Sequence, residues 1–239
     1  MNDYVKDGND NIYNIWNADK NTQLYKNEML RNLHLFKQLN RSGIIKNIID
    51  IGCGTGFLDS LLAKKGIKVT AVDLSEKRLS LFKEIAEELK ITQINENLYN
   101  INLNDFDAVI SQEVLEHLED YESALVKMNG LIKQKGIGLF CVPYNENLEA
   151  KMIIDKETGK KVHKVGHLHS FTKTKLEISV KKSGYEVIKS FLLVNKRSYK
   201  LFAKYKIPVN NFSLSIDTLM NSLFPHKAAY LAVLCRKVK

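Results

Sequence analysis

Short apolar runs of strand length alternate along this chain with stretches in which apolar residues return every three or four positions. The first such stretch, residues 10–41, predicts a helix with Leu30, Leu33, Phe36 and Leu39 on one side, broken at Ser42-Gly43. An apolar run over 44–51 predicts a strand, and Gly52, Gly54 and Gly56 come directly after it. Residues 57–65 have helical spacing that Gly66 can terminate, and 67–73 is the next strand-like run. Strand, glycine turn, helix and strand make a βαβ unit.

The alternation persists to the end. Ser75 is placed to cap a helix running to Leu89, and further helices are predicted at 114–118, 121–132 and 174–183. Strands are predicted at 91–94, 106–111, 136–142, 185–194 and 228–236. This pattern predicts an α/β fold, a doubly wound and mostly parallel seven-stranded sheet with helices on both faces. Residues 144–170 and 195–227 fall outside the rhythm. The expected organisation is a single domain over 1–239, with N-terminal helices in 1–43, a core in 44–143 and two insertions.

Composition narrows the class without changing that picture. With 239 residues, 44% hydrophobic and 26% charged, the chain can bury a large core. It has no apolar run long enough to span a bilayer and no apolar leader near Met1, and its three scattered cysteines suit reduced thiols, so a cytoplasmic protein is expected. Charge is uneven. Residues 1–149 carry 17 Lys and Arg against 22 Asp and Glu, whereas 150–239 carry 19 against 5. Either an anionic partner meets the last third, or those lysines simply solvate the surface.

The glycine turn carries the candidate chemistry. Glycines after a strand permit a tight turn and close approach of a ligand to the backbone. Phe57 stands where a dinucleotide fingerprint wants a small residue, and Asp50 ahead of the turn would repel a pyrophosphate. S-adenosylmethionine, with its ammonium and sulfonium, suits such acids better. Asp73, closing the second strand, can accept the hydroxyls of an adenosyl ribose or can cap the following helix.

Residues 49–58, 68–75 and 106–118, the last reading Phe106-Asp107-Ala108-Val109-Ile110-Ser111-Gln112-Glu113-Val114-Leu115-Glu116-His117-Leu118, resemble class I methyltransferases. The likeness is greatest to the small-molecule branch that includes quinone-biosynthesis O-methyltransferases. Lys135 to Pro143 resembles that family's glycine-rich lead into strand five, without its proline and one of its glycines. The resemblance implies an antiparallel last strand and S-adenosylmethionine as cofactor. It places Asp50, Gly52 and Gly54 around the methionine part and Asp73 at the ribose. Cys53, Gly56, Leu74, Asn97 and Gln112 complete the expected cofactor set.

The insertions are then expected on the acceptor side. Glu113, His117 and His167 are the candidate catalytic residues, with Glu113 and His117 one turn apart on the predicted helix. His163, His167 and His169 have spacing that could suit zinc, but no cysteine accompanies them and Asp155 is the one obvious acid nearby, so no metal is expected. The 195–227 insertion, with Ile216, Leu219, Met220, Leu223 and Phe224 on one face behind a lysine-rich stretch, is expected to bury that face, with a lid or peripheral membrane contact as alternatives. The expected activity is O-methylation of a small or lipid-linked, anionic acceptor such as a quinone precursor or sugar. An RNA methyltransferase is disfavoured, since no base-methylating motif or RNA-binding module is visible, and the remaining alternative is a non-catalytic cofactor-binding or membrane-surface partner. The oligomeric state is left open.

Overall fold

A computed structural model describes residues 13–156 and 158–238. The polar N-terminus and the first residues of the helix expected over 10–41 lie outside them. A 3-10 turn at Ile15–Asn17 precedes α1 (Gln23–Leu39), which starts only at residue 23 because Thr22 leaves the helical conformation and accepts a hydrogen bond from the Tyr25 amide. Then follow β1 (Asn47–Ile51), α2 (Phe57–Ala63), β2 (Lys68–Asp73), α3 (Glu76–Ser80), α4 (Lys83–Glu88), β3 (Thr92–Asn95), β4 (Phe106–Gln112), α5 (Tyr121–Leu131) and β5 (Ile132–Pro143). The second half adds β6 (Met152–Ile154), β7 (Lys161–His163), α6 (Lys173–Lys182), β8 (Tyr185–Asn195), α7 (Lys196–Lys204), α8 (Asn211–Leu223) and β9 (Ala228–Lys237).

Seven strands form one sheet in the order β3-β2-β1-β4-β5-β9-β8. Pairings from β3 through β5 are parallel, and β9 runs antiparallel to both neighbours. This is the doubly wound sheet with an antiparallel last strand that the alternation and the resemblance predict. Side chains of β1 divide between the two faces: Ile48 joins the core that includes Leu35, Leu58 and Phe202, and Ile49 joins the core that includes Leu125, Phe140 and Leu176. No helix among the described residues is long and apolar enough to cross a membrane.

Three local expectations are corrected. The helix expected from Ser75 to Leu89 breaks at Phe82, whose backbone leaves the helical conformation (φ −127°, ψ 20°) while its ring packs against the glycine turn. The helix expected at 114–118 is only a 3-10 turn, Leu115–His117. The apolar face expected to be buried in 195–227 is buried only in part: Ile216 packs against the core and Met220 and Phe224 are half-buried, but α8 buries Ser213, Leu214, Asp217 and Asn221 most deeply and leaves Leu219 and Leu223 about 60% accessible.

Asp217 is the reason for this partial exposure. Its carboxylate accepts the amides of Val194 and Asn195 (3.0 and 2.8 Å), the Asn221 side chain (2.9 Å) and His34 of α1 (2.9 Å). Val194 has φ +59°, a strained conformation for a β-branched residue, and it needs such a fastening at the end of β8. Hydrogen bonds offset much of the cost of burying a carboxylate, and with four of them Asp217 holds its side of α8 inward.

Candidate active site

The C-terminal ends of β1, β2 and β4 meet where the strand order reverses, between β1 and β4, and ligands of such sheets sit at that crevice. A cavity of about 1350 Å³ opens there. Of the expected cofactor residues, Gly52, Cys53, Gly54, Asp73, Leu74, Asn97 and Gln112 line it.

Each glycine of the turn has left-handed backbone, for a different steric purpose. A Cβ at Gly52 would strike Val114, and one at Gly56 would strike the Phe82 ring. Gly54 has φ +59° and nothing within 4 Å of a Cβ position. Its bare face borders the cavity, which is what close approach of a ligand to the main chain requires. The Gly54 amide donates to Asp73 Oδ2 at 2.9 Å and the Ser75 amide to Oδ1 at 2.8 Å, so the turn and the acid are locked together. Burial pushes the Asp73 carboxyl upward and these amides oppose it. The helix cap that Asp73 might have supplied comes from Ser75, which accepts the Arg78 amide.

Two expected cofactor residues take other positions. Gly56 lies beneath Phe82, outside the cavity lining. Asp50 is fully buried behind the turn beside the buried Asp59 of α2, and neither carboxyl has another hydrogen-bond partner. Burial and mutual proximity drive the Asp50 carboxyl well above its usual range, and Asp59, chiefly through burial, to about 7. Two facing carboxyls without a cation share a proton. The charge expected of Asp50 is therefore attenuated, and of the two expected cofactor acids it is Asp73 that borders the cavity.

The N-terminal segment closes one side. Trp16 donates its indole N–H to the Thr55 carbonyl (2.8 Å) and packs on Phe57, while Arg31 of α1 reaches across to β4. Its guanidinium pairs with Glu28 and Glu113, donates to Gln112 (3.2 Å) and lies 4.9 Å from the centre of the Tyr230 ring. Glu113 has φ +54° and therefore leaves the helical path expected to carry it alongside His117. The geometry makes it a partner of Arg31.

His117 turns the other way, toward the 144–170 insertion. Its Nδ1 lies 3.3 Å from the Gly166 carbonyl and its ring meets His167 edge-on at 4.7 Å. Burial, and then His167, lower it to about 4, so it is neutral with Nδ1–H donating and Nε2 open. His167 sits between two acids: Nδ1 contacts Glu146 closely and Nε2 lies 3.9 Å from Glu116 Oε1. His163 accepts the His167 amide at 3.0 Å and stacks on its ring, which fixes His167 from below. His169 points elsewhere, toward the Leu118 carbonyl and the Tyr121 ring.

Glu116 is the residue that pattern reading missed. It is wholly buried, both carboxylate oxygens lack hydrogen-bond partners, and burial pushes it up to about 8. Candidate ligand atoms of Glu116, His117 and His167 lie within 4.8 Å of one another. Two imidazoles and one carboxylate, with Glu146 orienting one imidazole from behind, form a donor set that fits a divalent transition ion. The expectation of no metal weighed only His163, His167 and His169, with no cysteine and Asp155 as the one obvious acid nearby, whereas this set draws Glu116 and His117 from a distant part of the chain.

Comparison with known proteins bears on the same region. Residues 49–140 match a family model described as a methyltransferase domain. This part of the chain is similar to a methyltransferase domain. It is 33% identical over 141 residues to the ubiquinone biosynthesis O-methyltransferase of Coxiella burnetii, a match covering 56% of this chain and 58% of that relative. The methyltransferase fold extends further than the sequence match. Magnesium protoporphyrin IX methyltransferase from Synechocystis, solved with bound S-adenosylhomocysteine, superposes with a TM-score of 0.66 at 14% identity, covering 99% of this chain and 97% of that one. An S-adenosylmethionine-dependent methyltransferase from Mesorhizobium loti gives 0.62 at 18% identity, covering 93% and 100%.

Proposed function

We propose that this protein is an S-adenosylmethionine-dependent methyltransferase that methylates a hydroxyl of a small or lipid-linked, anionic acceptor, with the N-terminal helix and both insertions belonging to one domain. The observation that carries the reading is the Gly54–Asp73 lock at the end of β1 and β2, bordering a cavity large enough for cofactor and acceptor together. Asp73 would take the ribose, Asn97 and Leu98 the adenine side, and the backbone at 52–54 the methionine part. Three buried free cysteines fit an intracellular protein.

Methyl transfer from a sulfonium is an in-line displacement, so positioning and exclusion of water supply much of the rate. Arg31 holds Gln112 and Glu113 in place on one side of the reacting region. On the other side His117, held neutral chiefly by burial, presents nitrogen toward the acceptor end, where a hydroxyl proton has to go, with His167 beside it. A divalent ion held by Glu116, His117 and His167 would lower the pKa of an acceptor hydroxyl when bound. Tyr144, Tyr199 and Tyr230 give the acceptor end aromatic walls, and Lys196 gives it positive charge, while Lys151 is paired with Glu146. Incubation with labelled methyl donor and a panel of catechols, phenols and sugars, each with and without a carboxylate or phosphate, tests the reading. Label on a hydroxyl of an anionic member is expected. Label confined to nitrogen or carbon acceptors would overturn the O-methylation.

A further inference from the structure

The outward face of α8 is an apolar stripe. Phe212, Ile216, Leu219 and Leu223 recur at spacings of four, three and four, one row along the helix in which Ile216 is half-buried against the core and the other three face outward. Phe212, Leu219 and Leu223 are 72%, 58% and 60% exposed. Around them stand Asn211, Ser215, Thr218 and Ser222, all exposed and uncharged, because the helix's single charged residue, Asp217, is turned inward. Such a face costs solvation free energy in water, and a row of this kind marks a docking surface.

Charge identifies what docks. Residues 195–227 carry six Lys or Arg and one acid, and that acid is the buried Asp217. Lys196, Arg197, Lys200, Lys204 and Lys206 are exposed on and just after α7, with Tyr205 exposed among them, and Lys227 is exposed beyond α8. Arg197 stacks on Phe224 at 3.9 Å, joining the basic helix to the end of the apolar one. The neighbouring α1 has Glu28 as its one acid, and Arg31 occupies it on the cavity side. A second copy of this chain seated on the stripe would bring two such basic fields together. A nucleic acid would take the lysines and leave the stripe in water. An anionic bilayer satisfies both, apolar side chains entering the acyl boundary and lysines meeting the headgroups.

We infer that α7 and α8 form a peripheral anchor for anionic lipid bilayers. The anchor adjoins the cavity, because Lys196 and Tyr199 of α7 line it. Resting on the methyltransferase reading, this placement delivers an amphiphilic acceptor from the bilayer surface to the side of the cavity that α7 walls.

Flotation of the full chain with vesicles of phosphatidylcholine alone, or with one third phosphatidylglycerol, tests the inference. Association with the anionic vesicles at low salt, falling steeply with added salt, is expected, along with little association with neutral ones. The triple variant Phe212→Ser, Leu219→Ser, Leu223→Ser and the double variant Lys200→Glu, Lys204→Glu should each lower the partition constant more than about tenfold. All substituted positions are exposed, so circular dichroism and S-adenosylhomocysteine affinity should match the parent. Absence of association at low salt, or association that the triple variant leaves intact, overturns the anchor. So does concentration-dependent dimerisation that the triple variant abolishes, which would assign the stripe to a second copy. Because cofactor affinity is read separately, failure of the anchor and failure of the methyltransferase reading are distinguishable.

Discussion

Gly54 and Asp59, five positions apart, show how differently residues around one turn can act. At Gly54 the backbone is left-handed and the Cβ position faces open cavity, so a side chain there occupies the ligand's space without striking protein. Gly54→Arg is expected to abolish S-adenosylhomocysteine binding in calorimetry while costing only about 1–2 kcal/mol of stability through backbone strain. Unchanged affinity would displace the cofactor from this turn. Asp59 is buried against Asp50 and titrates near 7 in the folded chain, against about 4 when unfolded. The native state therefore holds a proton across that window which the unfolded chain releases, and stability drops as pH rises from about 4 to about 7. Asp59→Asn keeps the shape and removes the ionisation. Its melting temperature should exceed the parent's at pH 8, and the gap should close by pH 4. An equal gap at both values would mean that the pair is not sharing a proton.

At the scale of elements, legibility followed how local the determining physics is. β1, the glycine turn and β2 were readable because apolar runs, glycine conformation and a strand-end acid are all local properties. The break at Phe82 was not, since it depends on a ring packing under Gly56, 26 positions earlier in the chain. Glu113 and His117 were assigned to one helix by their spacing, yet Arg31 draws the first away while Gly166 receives the second, and neither partner is near in sequence. Helix α8 is the clearest case: hydrophobic spacing pointed its apolar row inward, and with a four-partner carboxylate facing inward instead, Ile216 stays half-buried while Leu219 and Leu223 are left exposed. Asp217→Ala should cost about 3 kcal/mol in urea unfolding, because it leaves two buried amides and His34 without an acceptor. Asp217→Asn should recover part of that loss by restoring one acceptor. A loss below about 1 kcal/mol for the alanine variant would mean that packing, not this carboxylate, orients α8.

Taken whole, the molecule sets three regions around one cavity: the turn at the end of β1, the α1 wall with Arg31, and the histidine-bearing insertion. The third is where the sequence alone was least informative, since its donor set is assembled from positions 116, 117 and 167 with Glu146 behind. A transition-metal ion at saturating concentration, on the order of a hundred times its Kd, should raise the melting temperature by roughly 5 °C. Glu116→Gln should remove that shift and leave S-adenosylhomocysteine affinity in place. A shift that survives Glu116→Gln would send the ion elsewhere. The central claim, that the Gly52–Gly56 turn and Asp73 hold S-adenosylmethionine, is tested most directly by titrating the full chain with S-adenosylmethionine and S-adenosylhomocysteine in a calorimeter. One-to-one binding of both is predicted, weakened by Asp73→Ala, and absence of heat with either ligand would contradict the account.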